Sequence, residues 1–135
     1  MREYLTQELR LEVPDDALDL SIQSLELPHA AGTVRIVVYR DAGLKAPLDN
    51  PVTEHLAKQR RRSLGFELVE RGPVDVAGVR AIATTVRLVA DEVPLEQRAI
   101  YTERGLVVGV TGPVACASEL ASIFSAILRT FQWRS

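Results

Sequence analysis

Reactive and metal-binding side chains are scarce in this 135-residue sequence, which contains two histidines and one cysteine. Aromatic residues make up only 5% of it. The sequence lacks a glycine-rich phosphate loop, a paired-cysteine zinc spacing and a nucleophile elbow. No nucleophile, base and metal ligands cluster along the chain. We therefore predict no catalytic residue, no metal site and no cofactor, and we expect a protein that is not an enzyme.

The single cysteine, Cys116, excludes an intrachain disulfide, and it favours a reducing compartment. The first residues are polar and lack the apolar core of a signal peptide. No apolar run approaches the ~20 residues that a helix needs to cross a bilayer. We expect a cytoplasmic protein without stable membrane insertion.

Charge is nearly balanced, with 16 basic and 18 acidic residues and a formal net charge of −2. Nucleic-acid-binding domains carry a basic stripe that neutralises phosphates, so we do not expect nucleic acid as a partner. The one dense basic run, residues 58–62, is typical of the solvated face of a helix.

Alternation of apolar and polar residues is the dominant pattern that is present, and it predicts half-buried β-strands. Turn residues separate these segments, notably Pro14, Pro28, the pair Asp91-Glu92 and Gly105. The predicted strands are residues 9–13, 20–27, 33–40, 66–71, 74–76, 79–89, 95–103 and 106–111.

Two segments have helical periodicity instead. Residues 51–63 follow Asn50 as a predicted N-cap and stop before Gly65. In this helix Val52, His55, Leu56 and Gln59 share one stripe. Residues 115–131 form the second helix, whose apolar residues recur at spacings of three and four and must be buried against a sheet.

The order of elements predicts a single α+β domain, residues 1–135, with a twisted antiparallel β-sheet flanked by helices. In the strand 33–40, Val34, Ile36 and Val38 form a core face. The opposite face carries Val37 and Tyr39, and it is more apolar than a solvated surface needs. The sequence leaves open what covers this face, which is the first helix, a twin subunit or a client segment.

Residues on this second face form the candidate site. Ile22 and Ser24 share a face of one strand, as Ala99 and Tyr101 do on a late strand, because side chains repeat at every second position. His55 projects from the first helix, either towards the sheet or as a satisfied polar group at the helix edge. Trp133 either anchors a partner or folds back onto the sheet.

Six stretches of the sequence form a pattern that is found in a known family. The stretches are Tyr4 with Leu9-Arg10-Leu11-Glu12-Val13-Pro14-Asp15, Ser21-Ile22-Gln23-Ser24-Leu25-Glu26-Leu27-Pro28, Ile36-Val37-Val38-Tyr39-Arg40-Asp41-Ala42, Leu64-Gly65-Phe66-Glu67-Leu68, Gln97-Arg98 and Tyr101-Thr102-Glu103-Arg104. They resemble the DcrB-related family of small proteins, and the resemblance covers nearly the whole chain. Within that family the chain is most similar to the Eag type, chaperones encoded beside type VI secretion effectors.

This resemblance implies a PsbP-like fold, an α/β/α sandwich, and a homodimer. It implies a chaperone or adaptor that binds the hydrophobic, membrane-inserting helices near the N-terminus of a secreted effector, often one with PAAR and Rhs regions. Such a protein keeps these helices soluble and aids loading of the effector onto the secretion spike. A helix meant for a bilayer would otherwise aggregate in water.

The resemblance also implies which residues contact the client. Relatives have a small hydroxyl residue where Tyr39 stands, and glutamine where His55 and Ala99 stand. The implied client-binding positions are Ile22, Ser24, Val37, Tyr39, His55 and Ala99.

A rival hypothesis is a small-ligand binding domain or minor enzyme on the same fold, with His55 and Tyr39 around a closed pocket. A purely structural interaction module is a third. An enclosed cavity containing His55 would favour the small-ligand binding domain or minor enzyme, and an open apolar trough would favour the chaperone.

Overall fold

The computed structural model describes the backbone of residues 2–5, 9–13, 18–21, 24–29, 32–41 and 43–133. Side chains are described for Glu26 and, within these ranges, from Gly32 onward. The elements in these ranges are β1 (Arg2–Leu5), β2 (Leu9–Val13), β3 (Leu18–Ser21), β4 (Ser24–His29), β5 (Gly32–Arg40), α1 (Asp49–Arg62), β6 (Leu64–Val76), β7 (Val79–Ala90), β8 (Val93–Thr102), β9 (Leu106–Pro113), a 3-10 turn (Val114–Cys116), α2 (Ala117–Thr130) and β10 (Gln132–Trp133).

The main sheet in the described ranges has seven strands in the order β3-β4-β5-β9-β8-β7-β6, and all neighbouring pairs are antiparallel. A second sheet has the order β1-β2-β10. The helices lie on the main sheet's two faces, so the predicted α+β class, an antiparallel sheet flanked by helices, is confirmed.

One face of the main sheet packs on α2. Val34, Ile36 and Val38 of β5 contribute to this core as the alternation predicted, together with Leu120 and Ile127 of α2, which are fully buried. Burial of the apolar stripe of α2 against this face removes it from water and holds the helix there.

The opposite face packs on α1 over strands β6, β7 and β8. Val52 and Leu56 of α1 contact a second buried cluster that includes Ile82, Ala99 and Tyr101. The loop before α1 adds two buried leucines, Leu44 and Leu48. The first helix is therefore the cover of this part of the second face.

The start of α1 differs from the prediction. The N-cap is Leu48, which makes no side-chain capping bond, and Asn50 lies inside the first turn. Leu48 is only 6% exposed, so burial of this leucine, rather than a polar cap, sets where the helix begins.

Two strand boundaries also differ. The predicted strand 20–27 is replaced by β3 and β4, which pair with each other in the register Leu18↔Glu26. Strand β6 runs unbroken through Gly72-Pro73, where a break was expected. A proline fits there because β6 is an edge strand and its outer side needs no ladder donor.

The structure also places Cys116 and Trp133. Cys116 is a buried free thiol. Trp133 folds back: its ring packs edge-on against Phe131, and its Nε1 donates to the backbone oxygen of Val76 at 3.2 Å. No helix within the described ranges has the length and apolarity that spanning a bilayer requires.

Truncating Leu120 tests the α2 core. Leu120 is 0% exposed, so Leu120→Ala should lower the free energy of unfolding by about 2–5 kcal/mol, through lost burial and a residual cavity. Val93→Ala is the control, because Val93 is 44% exposed and should change the value by less than about 0.5 kcal/mol. Urea denaturation of both variants measures the difference, and equal effects would contradict this packing.

Candidate functional site

The strand register aligns three of the candidate residues in one row across the sheet. Ser24 of β4 pairs with Val37 of β5, Val37 pairs with Gly109 of β9, and Gly109 pairs with Ala99 of β8. Residues that face each other across antiparallel strands share a face, so the row belongs to the face that α1 partly covers. At its centre stand glycine and alanine, the two smallest residues.

A neighbouring row links Tyr39 to the helix. Tyr39 pairs with Val107, and Val107 pairs with Tyr101. The Tyr101 ring meets the His55 ring edge-on, with centroids 5.1 Å apart and an interplanar angle of 63°. His55 therefore faces the sheet, as one of the two interpretations of this residue predicted.

Half-buried side chains mark where the cover by α1 ends. They form a strip beside α1 over strands β8, β9 and β5, which we call the trough. Its residues are Val37, Tyr39, His55, Gln59, Gln97 and Thr111.

The remaining candidate positions are not equally placed. Ala99 is 2% exposed and lies in the cluster beneath α1, so its side chain contributes to the packed floor rather than to the open strip. Ser24 is placed by its backbone register alone. Ile22 lies outside the described residues, and its predicted role stays a prediction.

Two glutamines that were not among the predicted site residues stand in the wall of the trough. The Gln59 amide nitrogen donates to the side-chain oxygen of Gln97, which joins α1 to β8. The Gln59 Oε1 is buried and has no hydrogen-bond partner among the described residues. A Cβ built on Gly109 would lie 3.9 Å from the Gln97 amide nitrogen, so that donor group rests above the small-residue row.

Sequence spacing contained a signal for both glutamines. Gln59 is one helical turn after His55, on the stripe that His55 shares, and Gln97 is two positions before Ala99 on one strand face. What the spacing did not contain is the pairing between them, because it depends on how α1 lies across β8.

Burial shifts the titration of the aromatic groups in the trough. It raises the pKa of Tyr39 above its ordinary value, and the nearby Asp41 carboxylate adds to the rise. Burial also lowers the pKa of His55 below 6.5, although Asp41 opposes the change. The pKa of Tyr101 is raised, again mainly by burial. At neutral pH these rings are therefore uncharged, while the charges of Asp41 and Arg62 lie close enough to influence Tyr39 and His55.

This arrangement is suited to holding an apolar guest. Gly109 and Ala99 keep long side chains off the floor, and the amides of Gln59 and Gln97 at the wall can satisfy a few polar groups of a guest segment. Within the described ranges, no three His, Cys, Asp or Glu side chains lie close enough together to hold a metal ion.

Comparison with known proteins gives the fold but no function. No family model matches the chain, and no curated protein matches it. Among solved structures, the Synechocystis sp. PCC 6803 PsbP protein (CyanoP) aligns with a TM-score of 0.57 and 11% identity, over 98% of this chain and 92% of that one. The chain has a PsbP-like fold.

Two further solved structures share this PsbP-like architecture. A Pseudomonas aeruginosa protein of unknown function, PA94, aligns with a TM-score of 0.76 and 26% identity, over 100% of this chain and 98% of that one. LpqN of Mycobacterium tuberculosis, which is involved in cell envelope biogenesis, aligns with a TM-score of 0.71 and 13% identity, over 94% of this chain and 83% of that one.

The lowered pKa of His55 predicts a pH-dependent stability. The folded state resists protonation of this ring, so below pH 6.5 the unfolded state binds more protons and the free energy of unfolding falls. The stabilising contribution is complete above pH 6.5 and is lost as the pH falls towards the folded-state pKa. His55→Phe keeps a ring against Tyr101. It should therefore reduce the fall in the free energy of unfolding between about pH 7.5 and about pH 5.5.

Urea denaturation across this pH range measures the effect. NMR titration of the His55 ring measures the pKa itself, and a His29→Gln variant leaves one histidine signal and so assigns it. A slope that is unchanged in His55→Phe, or a titration midpoint above 6.5, would contradict the burial argument.

The glutamine pair predicts a gain of stability on removal. A buried oxygen without a donor costs free energy, so the double variant Gln59→Leu/Gln97→Leu should raise the free energy of unfolding by about 1 kcal/mol. Gln59→Leu alone should gain less, because it leaves the Gln97 oxygen without its donor. Thermal and urea unfolding of the unchanged protein, Gln59→Leu and the double variant measure the order of their stabilities. A double variant less stable than the unchanged protein would refute the prediction.

Proposed function

We propose that this protein is a non-enzymatic, cytoplasmic chaperone or adaptor for a type VI secretion effector. The effector is of the type that has PAAR and Rhs regions. Its apolar helices near the N-terminus bind in the trough. The protein keeps them from aggregating before export and aids loading of the effector. The single observation that carries the proposal is the half-covered sheet face, on which α1 leaves a strip of half-buried side chains beside a row of small residues.

The physical support comes from what a membrane-inserting helix needs in water. Its apolar surface must be covered, and a groove between a helix and a sheet does this as other proteins cover amphipathic helices. Helices made for bilayers pack closely through small residues. The pair Gly109 and Ala99 raises no long side chain from the sheet, and a guest that displaces the Gln97 amide would reach Gly109.

Polar groups in the trough support the same assignment. Transmembrane helices often carry a few hydroxyl or amide groups, which need partners wherever they are buried. Gln59 and Gln97 place amide donors and an unpartnered acceptor at the wall of the trough.

A homodimer belongs to the proposal, as the family resemblance implies. Only part of the second face is covered by α1, and a twin subunit would extend the wall on the open side. Two copies would then enclose one client between them.

The rival, a small-ligand or enzymatic site around Tyr39 and His55, is favoured less by the geometry. His55 and Tyr39 are both half-buried, and the His55 ring is engaged by Tyr101. The pair would hold a guest at a surface rather than surround a substrate.

Co-expression tests the proposal directly. The protein is produced together with the N-terminal fragment, including its apolar helices, of the effector encoded beside it. We expect the fragment to become soluble and to copurify with the protein. The mass of the complex should correspond to two chaperone chains and one fragment. Val37→Asp should reduce recovery of the fragment by about tenfold, because it buries a charge against an apolar guest.

The matched control is Val93→Asp, which introduces the same charge at an exposed valine, the first residue of β8. It should leave recovery unchanged, and the melting temperatures of both variants establish that they are folded. If solubility and recovery of the fragment do not depend on the protein, the proposal fails. Equal losses in the two variants would place the client elsewhere.

A further inference from the structure

A second groove lies on the other side of α1, between this helix and the edge strand β6. It has a volume of about 310 Å³. Its floor is apolar and its rim is basic. The floor residues are Leu56, Ala57, Phe66 and Leu68, and the rim residues are Thr53, Arg60, Arg61 and Arg71.

The groove is separate from the trough because the helix divides them. His55 and Gln59 are four residues apart and share the trough side of α1, whereas Ala57, Arg60 and Arg61 follow each other around the opposite flank. A ligand in one site therefore need not contact the other.

Two of the arginines are held in place. Arg71 donates to the Thr53 hydroxyl at 2.9 Å, to the Asp49 backbone oxygen at 3.0 Å and to the Asp49 carboxylate at 3.3 Å. Arg60 lies over the Phe66 ring, 5.3 Å from its centroid. Such fixed guanidinium groups lose little side-chain entropy when they bind an anion.

Positive charge exceeds negative charge at this rim. Asp49 offsets Arg71, but among the described residues that line the groove none carries a carboxylate to offset Arg60 or Arg61. Glu67 and Glu70 of β6 pair with Arg87 and Thr85, whose register places them on the opposite face of the sheet. The groove is thus complementary to an acidic ligand.

The apolar floor continues onto the sheet edge. Leu68 is 39% exposed and Val69, at an irregularity of the β6–β7 register, is 47% exposed. Large exposed apolar side chains grouped beside a basic rim are typical of a surface that meets a partner.

We propose that this groove binds an acidic, apolar polypeptide segment, with one leucine-sized side chain on the Phe66–Leu68 floor and carboxylates on Arg60 and Arg61. Two neighbouring uncompensated guanidinium groups match a segment with more than one carboxylate, whereas a fatty acid offers only one. The groove also opens at the edge of the sheet, so a chain can enter and leave it.

The test uses the ¹⁵N-labelled full-length protein and three blocked tetrapeptides, followed by NMR. Acetyl-Glu-Leu-Leu-Glu-amide should shift the amide signals of Ala57, Arg61 and Leu68. Acetyl-Lys-Leu-Leu-Lys-amide, which has the wrong charge, and acetyl-Glu-Ser-Ser-Glu-amide, which lacks the apolar part, should each bind at least about tenfold more weakly.

A matched pair of charge reversals locates the binding. Arg61→Glu should weaken binding of the acidic peptide by about tenfold, and Arg129→Glu should leave that binding unchanged. Arg129 is exposed in the last turn of α2, so both variants change net charge equally and disturb a helix C-terminus equally. Leu68→Ser is a second variant that tests the floor and should also weaken binding.

Three outcomes would overturn the proposal. The first is that Arg61→Glu and Arg129→Glu weaken the peptide equally, which would indicate attraction by overall charge only. The second is that decanoate shifts the groove signals while the acidic peptide does not, which would assign the groove to an amphiphile. The third is that these signals shift with protein concentration alone, which would make the groove a contact between two copies of the chain.

Discussion

Two apolar faces on one antiparallel sheet are the constraint on which the rest of this protein depends. Each face must be removed from water, and the chain supplies one helix for each. Helix α2 has a broad apolar stripe and covers its face with a continuous core that extends from β5 to β6 across the sheet. Helix α1 has only two buried side chains, Val52 and Leu56, and covers strands β6 to β8. The uneven cover leaves the trough.

The trough combines features that stability alone would not select. Glycine and alanine at adjacent register positions reduce the apolar area that the sheet can bury, and a buried amide oxygen lacks a donor. Natural proteins keep such local costs mainly at sites where a ligand compensates them. The same small residues and amides that weaken the free protein would fit a guest helix, so the cost and the proposed use have one origin.

Helix α1 also separates two surfaces of different chemistry. Its trough side carries a neutral imidazole and an amide, while its other flank carries arginines. The arginines of its last turn have a structural role as well, because cations near a helix C-terminus interact favourably with the helix dipole. The guanidinium groups of Arg60 and Arg61 also line the groove beside β6, so their interaction with the helix dipole leaves them available to a ligand. Helix α1 thus covers part of the sheet, forms the wall of the trough and forms the rim of the second groove.

Periodicity in the sequence was sufficient to predict the α+β class, most of the strands, both helices and the core face with Val34, Ile36 and Val38, because burial of one side of a strand or helix leaves a local pattern. It could also place Val37 and Tyr39 on the second face. It could not determine that β3 and β4 are separate strands, that Leu48 rather than Asn50 begins α1, or that β6 passes through Pro73. Those outcomes depend on neighbours that are distant in the chain.

The sequence by itself therefore determined which residues seek burial and on which side of each element they lie. Only the tertiary structure decided that Ala99 lies beneath α1 while Val37 stays half-exposed, that Gln59 meets Gln97, and that Arg60, Arg61 and Arg71 meet around one groove. The physical reason is that hydrophobic periodicity is a property of consecutive residues, whereas cover, pairing and charge clustering are set by the position at which a helix crosses a sheet.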